Sequence, residues 1–298
     1  MENFLRPIYQ EHASNPNTIG ILIIEKTQFA SPITDDFDVI LLIIVRDYEQ
    51  SWHVKHYEGT DKTAALHIVN EDILMGWIDI SEYRRAIEWV IYGKTVFDRN
   101  EYVTRLKEEL RDFPRAKRNL RKAINFGKLV KSYSEAKSLY EAGELKDAHS
   151  KILDSLHYLA RLSVIEKGYY PEVTVWAQVR NIDLEVYKLY EVFIDRNEEI
   201  KQKIELMIIA MDFIVNKRAK SSAKHLLDMM KTNNEPWSYV DIKNSPEVEP
   251  YTFDLSAILS YLVEKNIISV ILEETKGVGV LQRKYIVNEM GNTIEQDE

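Results

Sequence analysis

The chain has 298 residues, 45% of them apolar and 29% charged, and 39 basic against 48 acidic side chains leave a net charge of −9. This composition excludes collagenous, low-complexity and disordered chains, and a chain of this length is expected to fold as two or three domains with substantial cores. Cysteine is absent, which removes disulfides, thiolate nucleophiles and cysteine metal sites and points to the cytoplasm. The longest strongly apolar run, Val39–Val45, falls far short of the ~20 residues that cross a bilayer, and residues 1–14 lack a signal-peptide core, so neither export nor a membrane partner is expected.

In chain order, residues 2–14 suit a short helix. The run TIGILIIE, Thr18–Glu25, and the run DFDVILLIIV, 36–45, read as strands apolar on both faces, as in layered α/β architectures. Further strands are expected at 64–70 (AALHIVN) and 94–97. Between them Asp79-Ile-Ser-Glu82 has the spacing of a capping box, and Ala86, Ile87, Val90 and Ile91 form an apolar helical stripe that stops at Gly93. Pro114 ends a helix over 100–113. From there to Lys231 the periodicity is helical throughout, clearest in Ala148, Ile152, Leu156 and Leu159 and in Ile200, Ile204, Met207, Met211 and Ile214. Pro236, Pro246 and Pro250 mark a linker with a short helix. A helix over 254–264 then leads into strands at 267–272 and 281–287 around Lys276-Gly-Val-Gly279, the ending of a winged helix. The expected class is α+β, a mixed α/β N-terminal part followed by an all-α bundle and a winged helix, with domains at 1–114, 115–231 and 232–298.

The sharpest chemical signal is Ser31-Pro-Ile-Thr-Asp-Asp-Phe-Asp38, a polar turn that delivers Asp36 and Asp38 to the start of a buried strand. Residues two apart on a strand share a face, so the carboxylates are expected side by side, where they could hold Mg²⁺ or Mn²⁺ for two-metal phosphoryl or nucleotidyl transfer. The same pattern also suits a solvated acidic turn capping an apolar strand.

The segment IIEKTQFASPITDDFDVILLIIV resembles the nucleotidyltransferase superfamily element in which a strand, a Gly-Ser turn and D-x-D on the next strand bind a nucleoside triphosphate with Mg²⁺. Gly93-Lys-Thr-Val-Phe-Asp98 resembles the short strand that follows. Asp147-Ala148, Leu156-His-Tyr-Leu-Ala-Arg161, Pro171-Glu-Val-Thr-Val-Trp176 and Tyr187-Lys-Leu-Tyr190 are similar to the helical second domain of a group of nucleotidyltransferase-like proteins from bacilli and their relatives, whose chains end in a winged helix. The resemblance implies Asp36 and Asp38 as catalytic metal ligands, with Lys26, Ser31 and Thr34 as nucleotide contacts and the nucleotide in a cleft beside the helical domain.

Departures from the family pattern bear on activity. Glu25-Lys26 stands where the superfamily has Gly-Ser; a glutamate there crowds and repels phosphates, while Lys26 offers one compensating charge. At the place of the third carboxylate the chain has His67, a poor Mg²⁺ ligand. The resemblance therefore implies a degenerate nucleotide-binding protein, or else an active Mg²⁺-dependent enzyme that moves a nucleoside monophosphate to an acceptor.

Ser150, Asp154, His157 and Arg161 recur at helical spacing and could line an acceptor pocket with Trp176 and Lys188; a solvated face and ordinary aromatic core are the competing readings. Residues 115–131 (RAKRNLRKAINFGKLVK) hold seven Lys or Arg and no acid, a local attraction for phosphate or an exposed face with acidic neighbours. The C-terminal 232–298 carries five Lys or Arg against twelve Asp or Glu. That charge argues against nucleic acid, and against a transcription regulator acting through the winged helix, and in favour of a protein partner there.

Overall fold

The computed structural model describes residues 2–26, 32–80, 83, 85–195, 199–277 and 279–288. Ser31 of the candidate nucleotide contacts, Ser81 and Glu82 of the expected capping box, and Val278 of the hairpin turn lie outside them. The chain forms two compact units, one of residues Met1–Pro114 with Tyr170–Thr174, the other of Arg115–Tyr169 with Val175–Glu298.

The first unit runs α1 (Glu2–Ser14), β1 (Thr18–Glu25), β2 (Val39–Val45), β3 (Trp52–Glu58), β4 (Thr63–Asn70), α2 (Glu71–Ile80), α3 (Arg85–Tyr92), β5 (Lys94–Asp98) and, after a 3₁₀ turn, α4 (Tyr102–Asp112). Its sheet has the order β3-β4-β2-β1-β5. Only β2 and β4 run parallel, so the sheet is mixed. The continuous apolar runs in β1 and β2 follow from cover on both faces. Ile21, Ile23, Leu41, Ile43, Leu66 and Ile68 pack with Leu5 of α1 on one face. The other face carries Leu22, Ile40, Leu42, Ile44 and Val69, buried under α2, α3 and α4. Here Gly20 lets α4 approach the sheet, since a Cβ at this position would lie 2.3 Å from Val103 Cγ2. Two expected features differ. Ile91 of the apolar stripe on α3 is exposed, and β3 and α2 are additional elements.

The segment Tyr170–Thr174 closes this unit. Tyr170 stacks on Phe113 with centroids 4.0 Å apart, the Val173 amide donates to the buried Glu88 carboxylate at 2.6 Å, and Tyr92 Oη donates to Glu172 at 3.0 Å.

The second unit begins with the hairpin of α5 (Arg115–Glu141) and α6 (Leu145–Glu166), turned by Gly143 at φ +82, the left-handed conformation glycine adopts without strain. The stripe Ala148, Ile152, Leu156 and Leu159 is fully buried. Next come α7 (Val175–Ile182), α8 (Leu184–Asp195) and α9 (Ile200–Ser222), the last burying Ile204, Met207, Met211 and Ile214. Arg218 of α9 donates to Ser163, to Glu166 at 2.6 Å and to Asp183 at 2.9 Å, tying three segments together. The unit continues with α10 (Lys224–Met230), β6 (Trp237–Ser238), α11 (Tyr239–Lys243), a 3₁₀ segment, α12 (Leu255–Glu264), β7 (Ile268–Glu274) and β8 (Leu281–Val287). These last strands form an antiparallel sheet of order β6-β8-β7, the wing expected from the sequence. No helix among the described residues is long and apolar enough to cross a membrane.

Candidate functional site

The turn before β2 is closed at both ends by backbone bonds. The Lys26 amide donates to the Asp38 carbonyl at 2.9 Å, and the Phe37 amide to the Thr34 carbonyl at 2.9 Å. Trp89 of α3 donates its indole N–H to the Ile33 carbonyl at 2.8 Å, and Asp35 pairs with Arg85 of the same helix. Within this frame Asp35 and Asp36 have φ of +50 and +67, two successive non-glycine residues in the left-handed region. Each such conformation costs on the order of 1–3 kcal/mol and is held only by its surroundings.

The left-handed turn corrects the expected strand start. Because β2 begins at Val39, the alternation that would align Asp36 with Asp38 does not apply. The Asp36 side chain is 84% exposed, 3.9 Å from Lys26 Nζ, which also donates to the Asp36 carbonyl at 3.3 Å. Asp38 is held instead by the start of β4. Its Oδ2 accepts from the Thr63 amide at 2.8 Å and from Thr63 Oγ1 at 3.2 Å, and the amide bond foremost keeps this carboxyl below the usual carboxylate range. Thr34 is buried in the turn.

The parallel register also corrects the position of His67. Val39 lies beside Ala64, and His67 lies beside Leu42, four residues beyond Thr63. At about 3.3 Å per residue this is about 13 Å along the strand from the residue that holds Asp38. His67 is instead the centre of an aromatic cluster. Its ring packs on Trp52 of β3 and on Trp89, with centroids 5.9 Å and 4.8 Å apart, and Trp77 and Tyr83 close around Trp52. Trp52 donates its indole N–H to His67 Nδ1 at 3.1 Å. With 5% of its surface exposed, the imidazole is driven down to about 4, by burial first, against the opposing field of Asp35. It is neutral at physiological pH.

These placements bear on the metal. One carboxylate stands in solvent beside a lysine, the other has an oxygen occupied by Thr63, and no three His, Asp or Glu side chains among the described residues converge to hold an ion. The donor set does not fit a two-metal centre.

In the helical unit the structure brings some of the candidate residues together. His157 of α6 meets Trp176 of α7 edge-on, 5.7 Å between centroids, and Trp176 stacks on Tyr190 of α8 at 3.8 Å. Arg161 is buried and Asp154 is exposed, two helical turns or about 10.5 Å apart along the axis. Lys188 lies on the exposed side of α8, where it borders a shallow apolar hollow with Leu189, Ile209 and Phe213.

Thr63, Trp52, Asp35 and Arg85 were not among the expected site residues. The turn Gly59-Thr-Asp-Lys62, closed by a bond from the Gly59 amide to the Lys62 carbonyl at 2.8 Å, is a hairpin signal that could have revealed β3 and with it Trp52. The role of Thr63 depends on long-range pairing and leaves no local signal.

Comparison with known proteins agrees with this architecture. The model of the nucleotidyltransferase-like family matches residues 1–118, that of the YgxA-like substrate binding domain residues 119–218, and that of a helix-turn-helix domain residues 224–287. The uncharacterized protein YgxA of Bacillus subtilis (strain 168) is 41% identical over 285 residues, 96% of this chain and 97% of that protein. The crystal structure of a nucleotidyltransferase-like protein from Exiguobacterium sibiricum 255-15 superposes with a TM-score of 0.79 at 37% identity, covering 96% of this chain and 99% of that one. With a mixed sheet, a helical middle and a helix-turn-helix ending matched over nearly its whole length, the chain belongs to the YgxA-like family of nucleotidyltransferase-like proteins.

Proposed function

We propose that this protein binds a nucleotide at the turn of residues 32–38 without transferring it: a nucleotidyltransferase fold retained for recognition rather than turnover. The observation that carries this reading is that Thr63, not an acid, stands against Asp38 and occupies one of its oxygens while Asp36 stands in solvent beside Lys26, so the carboxylates needed for metal-dependent transfer are not assembled. The family fold supports the nucleotide. Lys26 supplies a cation for a phosphate beside the exposed Asp36 carboxylate. Mg²⁺ would arrive as the counter-ion of the nucleotide's own phosphates, not in a protein cage.

The test is calorimetric titration of the full chain with ATP, GTP, CTP and UTP, in Mg²⁺ and in Mn²⁺, repeated on Asp36→Ala/Asp38→Ala and paired with a pyrophosphate-release assay. The expected result is binding of at least one nucleotide, weakened in the variant, with no pyrophosphate above the buffer rate. Pyrophosphate release that depends on Asp36 and Asp38 would make the protein an active transferase. Unchanged binding in the variant would remove the turn from the site.

A further inference from the structure

The basic run 115–131 is not used by the reading above, and the fold gives it a destination. Arg115, Arg118 and Lys122 fall at i, i+3 and i+7 of α5, one face of the helix. Lys224 opens α10, and the four cations border one hollow of about 420 Å³, within the size range of small-molecule sites. The carboxylate in its wall is Glu166, bound at 2.6 Å by Arg218. The floor is fixed, since Lys122 Nζ donates to the Ser221 carbonyl at 2.8 Å.

Grouping these charges is costly in the free protein. Lys122 is half-buried, and burial lowers its proton affinity first; Glu166 opposes this, while Arg118 and Lys224 add to it more weakly. Lys224 is paired with Asp228 at 2.7 Å and Glu166 with Arg218, yet the four cations around the hollow still outnumber the carboxylates beside them in a chain of net charge −9. The rest of the run goes elsewhere: Arg121 is buried in the helical core, and Lys131 pairs with Asp254 at 3.2 Å. The run is therefore not a continuous track for an extended nucleic-acid backbone. It converges on one concavity, and the first turn of α5 adds the positive end of a long helix.

We infer that this hollow on the helical unit is a binding site for a ligand carrying two or three linked phosphates, with Arg115 and Arg118 gripping phosphate oxygens through their guanidinium forks and Lys122 and Lys224 acting as point charges. The source of the phosphates is a nucleoside polyphosphate or free inorganic polyphosphate.

The experiment uses the full chain carrying Asp36→Ala/Asp38→Ala, so that the turn of residues 32–38 does not contribute. Tripolyphosphate and ATP are titrated calorimetrically at two salt concentrations, and each is repeated after adding Arg118→Gln/Lys122→Gln, the more exposed pair Arg115→Gln/Lys224→Gln, or the remote control Lys201→Gln. The expected result is one site per chain that weakens with salt, loses roughly tenfold or more in affinity in either pocket variant, and is unchanged in Lys201→Gln. ATP binding tighter than tripolyphosphate assigns the nucleoside source, and equal binding assigns the free polyanion. Absence of tripolyphosphate binding at millimolar concentration overturns the inference, as does equal affinity in all variants, or a short single-stranded RNA that displaces tripolyphosphate and binds more tightly.

Discussion

The state of His67 makes a quantitative prediction about stability against pH. In the unfolded chain this imidazole titrates near 6.5, and in the fold it is held down to about 4. Burial is the first cause, and the hydrogen bond from Trp52 reinforces it, because a proton on Nδ1 would oppose the indole N–H. A basic group whose folded pKa is depressed leaves the folded state fully favoured above the unfolded value. As pH falls from 6.5 the unfolded chain takes up a proton that the fold refuses, and the loss ends near pH 4, where the folded form also protonates. At about 1.36 kcal/mol per unit, the shift from 6.5 to about 4 corresponds to about 3 kcal/mol.

Urea unfolding followed by tryptophan fluorescence between pH 7.5 and pH 4, on the natural chain and on His67→Leu, isolates this contribution. The other histidines and the carboxylates titrate in both proteins and cancel in the difference. The natural chain should lose about 3 kcal/mol relative to the variant across that range, almost all of it below pH 6.5. Nitrogen-15 spectra of the natural chain should show His67 neutral at pH 5.5 with Nδ1 unprotonated. A stability difference that changes by less than about 1 kcal/mol, or an imidazole that titrates near 6.5, would refute the account of its environment.

Two further predictions concern packing and charge. Gly20→Ala should cost about 1–3 kcal/mol by pressing on Val103, and Val103→Ala should recover part of that loss, so a double-mutant cycle in urea should show favourable coupling between the two substitutions. Arg218→Met leaves Glu166 and Asp183 without their shared cation and should cost about 3–5 kcal/mol at pH 8. Burial raises the Glu166 carboxyl even with Arg218 present, so the loss should shrink as pH falls from 8 to 5, the direction in which a raised carboxyl regains its proton; denaturant midpoints at the two pH values check this.

Much of the architecture is legible in the chain because its signals are local. Strand β1 and the core of β2 read directly from unbroken apolar runs, and α6 from four buried residues on one face. Strand β3 escapes because WHVKHYE is an edge strand with no fully buried side, so its composition resembles a loop. Helix α2 carries Gly76 in its middle, which lowers its helical signal. The candidate site was less legible. Nothing in Asp35-Asp36 announces two left-handed residues where glycine would be expected, and an alignment along β4 cannot say which residue stands beside Asp38. The pairing register makes that residue Thr63 and leaves His67 to Trp52, on the strand that was not read.

The five residues Tyr170–Thr174 change what counts as a separable piece of this chain. A cut at residue 118, where the family models draw their border, would leave the sheet-bearing fragment without the ring that lies on Phe113 and without the amide that answers the Glu88 carboxylate. The heritable module and the module that can stand alone are therefore not the same stretch of sequence. The N-terminal fold is completed only after two long helices have been synthesised, so a ribosome releasing the first 114 residues has not yet released everything that fold requires.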